Sequence, residues 1–343
     1  MKPKALACLL ALTILSIGAQ AQDYQFTQFF NSPLTLNPAL TGKVNGTFRA
    51  AVNYRNQWFN PAEKPFITYS GSFDAPIMIG KDALGLGVVI VNDQTNNGVY
   101  NNTVIMGSAA YHKALDKKGK HSLSLGVQAG YYQRRLDRND LRFFNQFQDG
   151  NFNPSLPSNE GNIATSDGNF DMQVGLLGFN QLSKRVSVYY GGSMFHILQP
   201  KEHLLGAGEY ELKRRYMAHA GSEIAIGKVV RLMPSLIYLN QAKESALNLG
   251  LSVGFDMTQG VYLHTGAYYR VVDKLTGKFG ASDAAIFYAA FEYKVARLGF
   301  SYDATLSSLK NTPKPTGAFE VSLVIMGPPR PVDNKSLLFC PRF

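Results

Sequence analysis

The sequence lacks long apolar runs, paired cysteines and regular repeats, and each absence excludes a class of protein. Beyond residue 22 no apolar stretch reaches the roughly 18 residues that mark a transmembrane helix. The only cysteines are Cys8 and Cys340. Because Cys8 lies in a leader that we expect to be removed, no disulfide within the chain is predicted. No repeat of fixed period occurs, which argues against a propeller or a solenoid.

Motifs of catalysis and metal binding are also scarce. No Gly-rich phosphate loop, His-Glu-x-x-His pair or Cys-x-x-Cys pair occurs, which argues against nucleotide and zinc sites. Residues 250–254 read Gly-Leu-Ser-Val-Gly, the string of a hydrolase nucleophile elbow, but strand-like alternation continues through them. We therefore interpret Ser252 as a strand residue and predict no catalytic residue, cofactor or metal. The histidines are predicted at strand ends or in a lumen: His112, His121, His196, His203, His219 and His264.

The longest predicted loop, residues 137–168, contains the one spacing that suggests a metal. Four of its residues match positions 1, 3, 5 and 12 of a calcium-binding loop: Asp149, Asn151, Asn153 and Glu160. Position 6, which needs glycine for a sharp turn, is Pro154. The sequence therefore favours an ordinary polar loop and leaves calcium binding open.

The positive charge is dispersed. The formal net charge is +10 at pH 7, and loss of Lys2 and Lys4 with the leader would leave 32 basic residues against 24 acidic ones, or +8. Basic residues lie in short turns and at strand ends, whereas a nucleic-acid protein gathers them on one face. We expect outer-membrane lipid headgroups or lipopolysaccharide as anionic partners, and no nucleic acid.

The first residues have the pattern of an export signal. Lys2 and Lys4 precede an apolar run over residues 5–18, and Ala19-Gln20-Ala21 is the small-x-small motif of a cleavage site. The run is shorter than the roughly 20 residues that cross a membrane as a helix. Residues 1–21 are therefore predicted to be a signal peptide.

What the sequence has in abundance is alternation of apolar and polar residues. Val52 and Tyr54 alternate with Asn53 and Arg55, and residues 120–136 repeat the pattern. About fourteen such segments, most of about 12 residues, are longer than sandwich strands usually are. Because outer-membrane barrels alternate in this way, the predicted fold class is all-β, a transmembrane antiparallel β-barrel of about 14 strands.

Connection lengths predict the topology. Short connections alternate with long ones along the chain, as periplasmic turns alternate with external loops in such barrels. Both termini are then periplasmic. We expect a periplasmic N-terminal segment or plug over residues 22–45, the barrel over 46–326 and a periplasmic tail over 327–343. Aromatic girdles at the membrane interfaces are expected to include Phe66, Tyr111, Tyr131, Tyr190, Tyr238, Tyr262 and Tyr288.

Two blocks of sequence are more specific than a pattern. The first contains Leu36-Asn37-Pro38-Ala39-Leu40-Thr41-Gly42, and the second is Asn53-Tyr54-Arg55-Asn56-Gln57-Trp58. With matching pieces as far as Cys340-Pro341-Arg342-Phe343, they resemble the PorP/SprF family of outer-membrane proteins of the type IX secretion system in Bacteroidetes. The resemblance covers essentially the whole chain after the leader.

The resemblance implies a function. It implies a non-enzymatic component, in the outer membrane of a Gram-negative bacterium, that partners and anchors secreted adhesin-type surface proteins in gliding and attachment. It also implies contacts with periplasmic and lipoprotein components of the secretion machinery. A general diffusion porin for small solutes remains the alternative, since the predicted lumen is polar. A hydrolase rests on Ser252 alone.

Four residues are candidates for partner binding: Asn37, Pro38, Arg55 and Trp58. Pro38 keeps Asn37 out of the helical region, so a turn is expected before the first strand. This turn either docks a periplasmic partner or seals the mouth of the barrel. Arg55 is expected to point into the lumen and Trp58 to reach the outer interface, where structural roles are favoured.

Overall fold

The structure, a computed structural model, describes residues 23–328 except for short gaps. The gaps are residues 60–64, 96–97, 138–140, 149–150, 159–167, 203–209, 259, 274–278, 308–309 and 311–316. The expected signal peptide (1–21) and nearly all of the expected tail (327–343) lie outside the described residues.

Fourteen antiparallel strands close into one barrel, and the first strand pairs with the last. Each of the other strands pairs with its neighbours in chain order. The predicted fold class and strand number are therefore confirmed. The strands are β1 Arg49–Gln57, β2 Phe66–Ile79, β3 Asp82–Thr95, β4 Tyr100–Ala114, β5 His121–Leu136, β6 Asn169–Gln181, β7 Val186–Phe195, β8 Arg215–Ile226, β9 Val230–Gln241, β10 Glu244–Thr258, β11 Val261–Asp273, β12 Phe279–Tyr293, β13 Ala296–Thr305 and β14 Gly317–Met326.

The strands carry apolar residues on the outside and polar residues on the inside. In β5, Leu123, Leu125 and Val127 are 49%, 55% and 39% exposed. Ser124 and Gln128, which alternate with them, are buried in the lumen. A water-soluble protein would have the opposite arrangement. The outer face is therefore suited to hydrocarbon, as in transmembrane barrels.

The connections differ in length between the two ends of the barrel. At one end, residues 80–81, 227–229 and 294–295 are tight turns, whereas residues 137–168 and 196–214 form long connections at the other. The two-residue turn between β9 and β10 and the four-residue connection between β3 and β4 are the exceptions among the longer set. Following the loop-length rule, we name the end with the tight turns periplasmic and the other end external.

The helical elements of the described chain are short. A 3-10 turn at Phe29–Asn31, helix α1 at Pro33–Leu36 and a 3-10 turn at Pro38–Leu40 precede β1. Proline at the first position of each of the last two fits a helix start, where its missing N–H is not needed. Within the part of the chain that the structure describes, no helix is long and apolar enough to cross a membrane.

Not all of the predicted girdle residues face the membrane, since Phe66 lines a cavity inside the barrel and Tyr288 is buried in the lumen. Several of the predicted girdle residues, such as Tyr111 and Tyr190, face outward and are exposed. Tyr288, in contrast, is 5% exposed and faces the lumen. Its ring meets that of Phe30 edge to face with centroids 4.8 Å apart. The girdle prediction was wrong for Phe66 and Tyr288, because each has an aromatic partner inside this barrel, Trp58 and Phe30 respectively.

Candidate functional site: a filled lumen and its external cavity

Residues 23–45, which we call the lumenal segment, run through the barrel from one end to the other. Asp23 accepts a hydrogen bond from Arg134 at 3.2 Å, near the external end of β5. Lys43 donates to Ser122 at 2.6 Å, near the periplasmic end of the same strand. An extended strand covers roughly 40 Å between these two positions. The segment was expected at the periplasmic mouth, but it fills the lumen, because polar wall residues at every level hold it.

Glycines in the wall make room for the segment at its closest approach. A Cβ added to Gly175 would lie 1.9 Å from Asn37 Oδ1, and one added to Gly126 would lie 2.3 Å from the Pro38 backbone. Likewise, a Cβ on Gly85 would lie 1.9 Å from the Thr41 carbonyl oxygen. Only glycine permits such close approach of a backbone. The wall is therefore shaped to accommodate the turn at Asn37 and Pro38.

The Asn37–Pro38 turn is fully buried against this wall. Asn37 is extended, as predicted, with φ −158° and ψ 122°, and its Oδ1 accepts from the Ala39 N–H at 2.9 Å. Its Nδ2 donates to the Leu176 carbonyl at 2.9 Å and lies 3.0 Å from His219 Nε2. Both residues hold the segment in the lumen, and in this arrangement neither presents surface to a partner.

Arg55 is the centre of a buried ionic cluster, which we call the Arg55 cluster. Its guanidinium contacts Glu320 at 2.5 Å and Asp303 at 3.1 Å. Arg270 also contacts Asp303, at 3.0 Å. Glu320 accepts the backbone N–H groups of Thr27 and Gln28 from the lumenal segment. The cluster therefore joins β1, β11, β13 and β14 to the segment.

A second buried pair holds the periplasmic part of the segment. Arg49 contacts Asp74 at 2.7 Å and donates to the Leu40 carbonyl at 2.9 Å. Asp74 accepts the Gly42 N–H at 2.6 Å. Gly42 has φ +72°, a conformation that favours glycine. The Arg49–Asp74 pair therefore fixes the last residues of the segment against the start of β1.

The external end of the segment is held by a group that we call the Asp23 cluster. His196 lies between Asp23 and Asp171, at 2.5 and 2.6 Å, and Arg134 and Arg215 complete the cluster around Asp23. Burial alone would lower the pKa of His196, but the two carboxylates outweigh it and raise this pKa to about 9. Burial would raise the pKa of Asp23, but His196, Arg215 and Arg134 hold it below its usual range. The cluster is therefore charged at neutral pH.

Above the segment an external cavity of about 580 Å³ remains. Arg55 lies in its wall beside Trp58 and Phe66. The rings of these two aromatic residues meet edge to face at 5.2 Å. Trp58 has φ +59°, which is rare for a bulky residue. The structure thus brings Arg55 and Trp58 to one cavity, whereas Asn37 and Pro38 lie deeper in the barrel.

Ser252 has the surroundings of a strand residue. It is buried in the middle of β10, and its hydroxyl lies 2.6 Å from that of Tyr268. Strand β11 follows β10, so the strand–turn–helix geometry of a nucleophile elbow is not formed here.

Three residues that the sequence analysis considered as possible metal ligands lie outside the described residues. Of the proposed calcium loop, Asp149 and Glu160 lie outside the described residues, as does His203. Asn153 is described, and its side chain accepts the Ser155 N–H at 3.0 Å, as loop asparagines do.

Apart from Arg55, sequence reasoning missed the wall residues that hold the segment. Arg49 lies opposite Asp74, and Arg55 lies opposite Glu320, as cross-strand partners. The signal was therefore present as inward-facing charges of opposite sign, but it becomes visible only when the strand register is known. The contacts of Asp23 and Thr27 had no local signal at all.

The fold and the lumen together define a class: an outer-membrane β-barrel whose lumen is filled by its own N-terminal segment. The sequence profile of a family described as "Type IX secretion system membrane protein PorP/SprF" matches residues 18–325. The chain belongs to this family and is an outer-membrane protein. No curated protein matches it.

Solved structures show likeness of fold alone. The chain resembles a "TodX deltaS2S3 mutant monoaromatic hydrocarbon channel", with 8% identity, a TM-score of 0.55, and coverage of 88% of this chain and 94% of that one. It also resembles a Pseudomonas aeruginosa FadL homologue, with 11% identity, a TM-score of 0.50, and coverage of 84% and 92%.

Proposed function

We propose that this protein partners and anchors secreted adhesin-type proteins at the cell surface, as a non-enzymatic component of the type IX secretion system. In this role it also contacts periplasmic and lipoprotein components of the machinery. The observation that carries the proposal is the filled lumen, which leaves a cavity and long connections at the external end. Such a surface is suited to holding a protein. Gliding and attachment would be the processes served.

The filled lumen also bears on the porin alternative. A diffusion porin needs a continuous water-filled path, whereas residues 23–45 occupy the lumen of this barrel from Asp23 to Lys43. In planar bilayers we therefore expect the purified protein to give no large, steady conductance. A steady open pore without a bound passenger would favour the porin.

The direct test is affinity purification of the tagged chain from native outer membranes. We expect an adhesin-type surface protein and secretion components to co-purify, and recovery of neither would overturn the proposal. Trp58→Ala should lower recovery of the passenger, because Trp58 lines the external cavity. Tyr69→Ala is the matched control, since Tyr69 is an aromatic residue exposed on the outer face of β2, and it should leave recovery unchanged.

A further inference from the structure

The external cavity has a mixed polar and apolar lining, and the arginines in its wall are already paired with carboxylates. Arg55 is bound by Asp303 and Glu320. Arg270 is bound by Asp303 and by Asp283, the latter at 2.5 Å. The carboxylates that accept these guanidinium groups leave little positive charge to attract an anion. The wall therefore does not suit an anionic ligand.

Two further carboxylates in the same wall form no ion pair within the described part of the chain, although Arg134 and Arg55 attract one of them, Asp93, from a distance. Asp93 and Glu244 line the cavity, and neither forms an ion pair with a described residue. Asp93 accepts one hydrogen bond, from the Thr68 hydroxyl at 2.6 Å. Charges without partners near a low-dielectric wall attract the opposite charge more strongly than in water. The cavity wall therefore carries an excess of negative charge.

An independent observation supports the same conclusion. Asn102 lies directly opposite Asp93 on the neighbouring strand. Its side chain lines the cavity and is 3% exposed, and its Oδ1 has no hydrogen-bond partner among the described residues. A buried polar atom without a partner calls for an explanation such as an absent ligand. A carboxylate beside an amide oxygen is a pair of acceptors that suits a cationic N–H donor.

The same wall also offers an aromatic surface, which stabilises a cationic donor. Trp58, Phe66 and Tyr100 lie in the same wall. An ammonium or guanidinium group over a tryptophan face gains from the ring quadrupole. The combination of acceptors and aromatic rings separates this cavity from a site for a bare metal ion, which prefers oxygen ligands alone.

We propose that the external cavity receives a lysine or arginine side chain of the secreted protein. This inference rests on the proposed function and names the chemistry by which the partner is held. Asp93 and Asn102 accept the N–H donors, Glu244 adds charge at the rim, and Trp58 covers the aliphatic stem and the cationic head. A polyamine or a divalent cation could balance the negative charge of the carboxylates, but it would not use all of the acceptors and aromatic rings of the wall.

Trp58 allows a direct test, because it is the single tryptophan of the chain. Acetylated tri-lysine amide is titrated into the purified full-length protein in detergent, and Trp58 emission is followed. We expect a saturable change that tri-glutamate does not produce. An equal response to tri-glutamate, or to magnesium chloride at matched ionic strength, would overturn the proposal. A saturable response to spermidine but not to tri-lysine would also overturn it, in favour of a free polyamine.

Variants assign the response to the acceptors. Asp93→Asn preserves shape and the contact with Thr68, and should weaken tri-lysine binding at least about 10-fold, roughly the loss of one charge-assisted hydrogen bond. Glu211→Gln removes a charge in an external connection outside the cavity, and should bind like the parent. Binding by Asp93→Asn at parental affinity contradicts the proposal. Heat-modifiable migration on gels checks that each barrel folds, and Glu244→Gln replaces Asp93→Asn if that variant does not.

Affinity purification separates this inference from the function on which it rests. If the parent chain recovers a passenger and Asp93→Asn recovers much less, while secretion components are retained, both are supported. If Asp93→Asn recovers the passenger as well as the parent does, only this inference fails. If the parent recovers neither passenger nor machinery, the proposed function fails whatever the peptide titration shows.

Discussion

Arg55 illustrates how single charges hold this barrel together. It is buried between Asp303 and Glu320, with the Thr27 hydroxyl 2.7 Å from its guanidinium. Arg55→Gln would leave Glu320 without its cation and Asp303 with Arg270 alone, and removing one partner of a buried pair typically costs about 3–5 kcal/mol. We expect a lower free energy of unfolding by about this amount, measured by denaturant titration in lipid or detergent.

The control for this variant is Arg135→Gln, on the outer face of β5. The side chain of Arg135 is 61% exposed and lies 3.8 Å from Asp137, and exposed pairs contribute about 0–1 kcal/mol. Similar losses for the two variants would mean that burial of the Arg55 cluster has no special energetic weight.

Gly175 tests the close approach of the segment to the wall. In Gly175→Ala the added Cβ would overlap Asn37 Oδ1, so the segment must shift or lose its bond to Ala39. Overpacking of this kind costs about 1–3 kcal/mol. We expect a lower unfolding midpoint and faster proteolysis within residues 23–45. Gly71→Ala is the control, because a Cβ there meets nothing within 4 Å, and a matching loss in this variant would exclude the steric explanation.

His196 makes the hold on the external end of the segment depend on pH. Because its pKa rises from 6.5 to about 9 on folding, its stabilisation is complete below the unfolded value and is lost as pH rises through the folded one. The thermal unfolding midpoint of the parent should therefore fall between about pH 6.5 and 9. The unfolding midpoint of His196→Gln should be lower than that of the parent at pH 6, and it should change less as the pH rises. Parallel curves for the two proteins would contradict this account.

At the scale of elements, the lumenal segment is the part whose removal changes the barrel most. Deletion of residues 24–45 should leave a polar lumen with unpaired wall charges and an open path. We expect the deletion variant to give a large, steady conductance in planar bilayers, while the parent gives none. Equal conductance of the two proteins would mean that the segment does not close the path.

The strands and the segment differ in how far the sequence predicts them. All fourteen strands follow from alternation along the chain, because one face meets lipid and the other the lumen. The segment has no such local pattern, and its contacts join residues far apart in sequence, such as Asp23 with Arg134 and Thr27 with Glu320. Their meeting depends on register and on closure of the barrel. The inward position of Tyr288 was missed for the same reason.

The candidate site was predicted in part. Arg55 and Trp58 share the external cavity, and Asn37 and Pro38 form the predicted turn. Whether any of the four contacts a partner stays a prediction. The acceptor pair of Asp93 and Asn102 could not be predicted, because it exists only where β3 and β4 pair.

At the scale of the whole molecule, the orientation in the membrane is open to a simple test. Phe144, in the 137–168 connection, is 91% exposed, and Lys117 is exposed in the 115–120 turn. On intact cells, an impermeant maleimide should label Phe144→Cys and spare Lys117→Cys, while lysed cells label both. The parent chain, with Cys340 in its predicted periplasmic tail, measures the background. Labelling of Lys117→Cys alone on intact cells would show that the barrel has the opposite orientation in the membrane.

The Arg55 cluster also bears on how such a barrel is assembled. Arg55 and Glu320 face each other across β1 and β14, the first and last strands, whose pairing closes the sheet. Thr27 and Gln28 donate to Glu320 from inside. Residues near the start of the lumenal segment thus lie at the joint that the final strand completes. Because a finished barrel would have to be threaded from end to end, folding is simplest if the sheet wraps around the segment. Insertion into the membrane and enclosure of the segment would then be a single step.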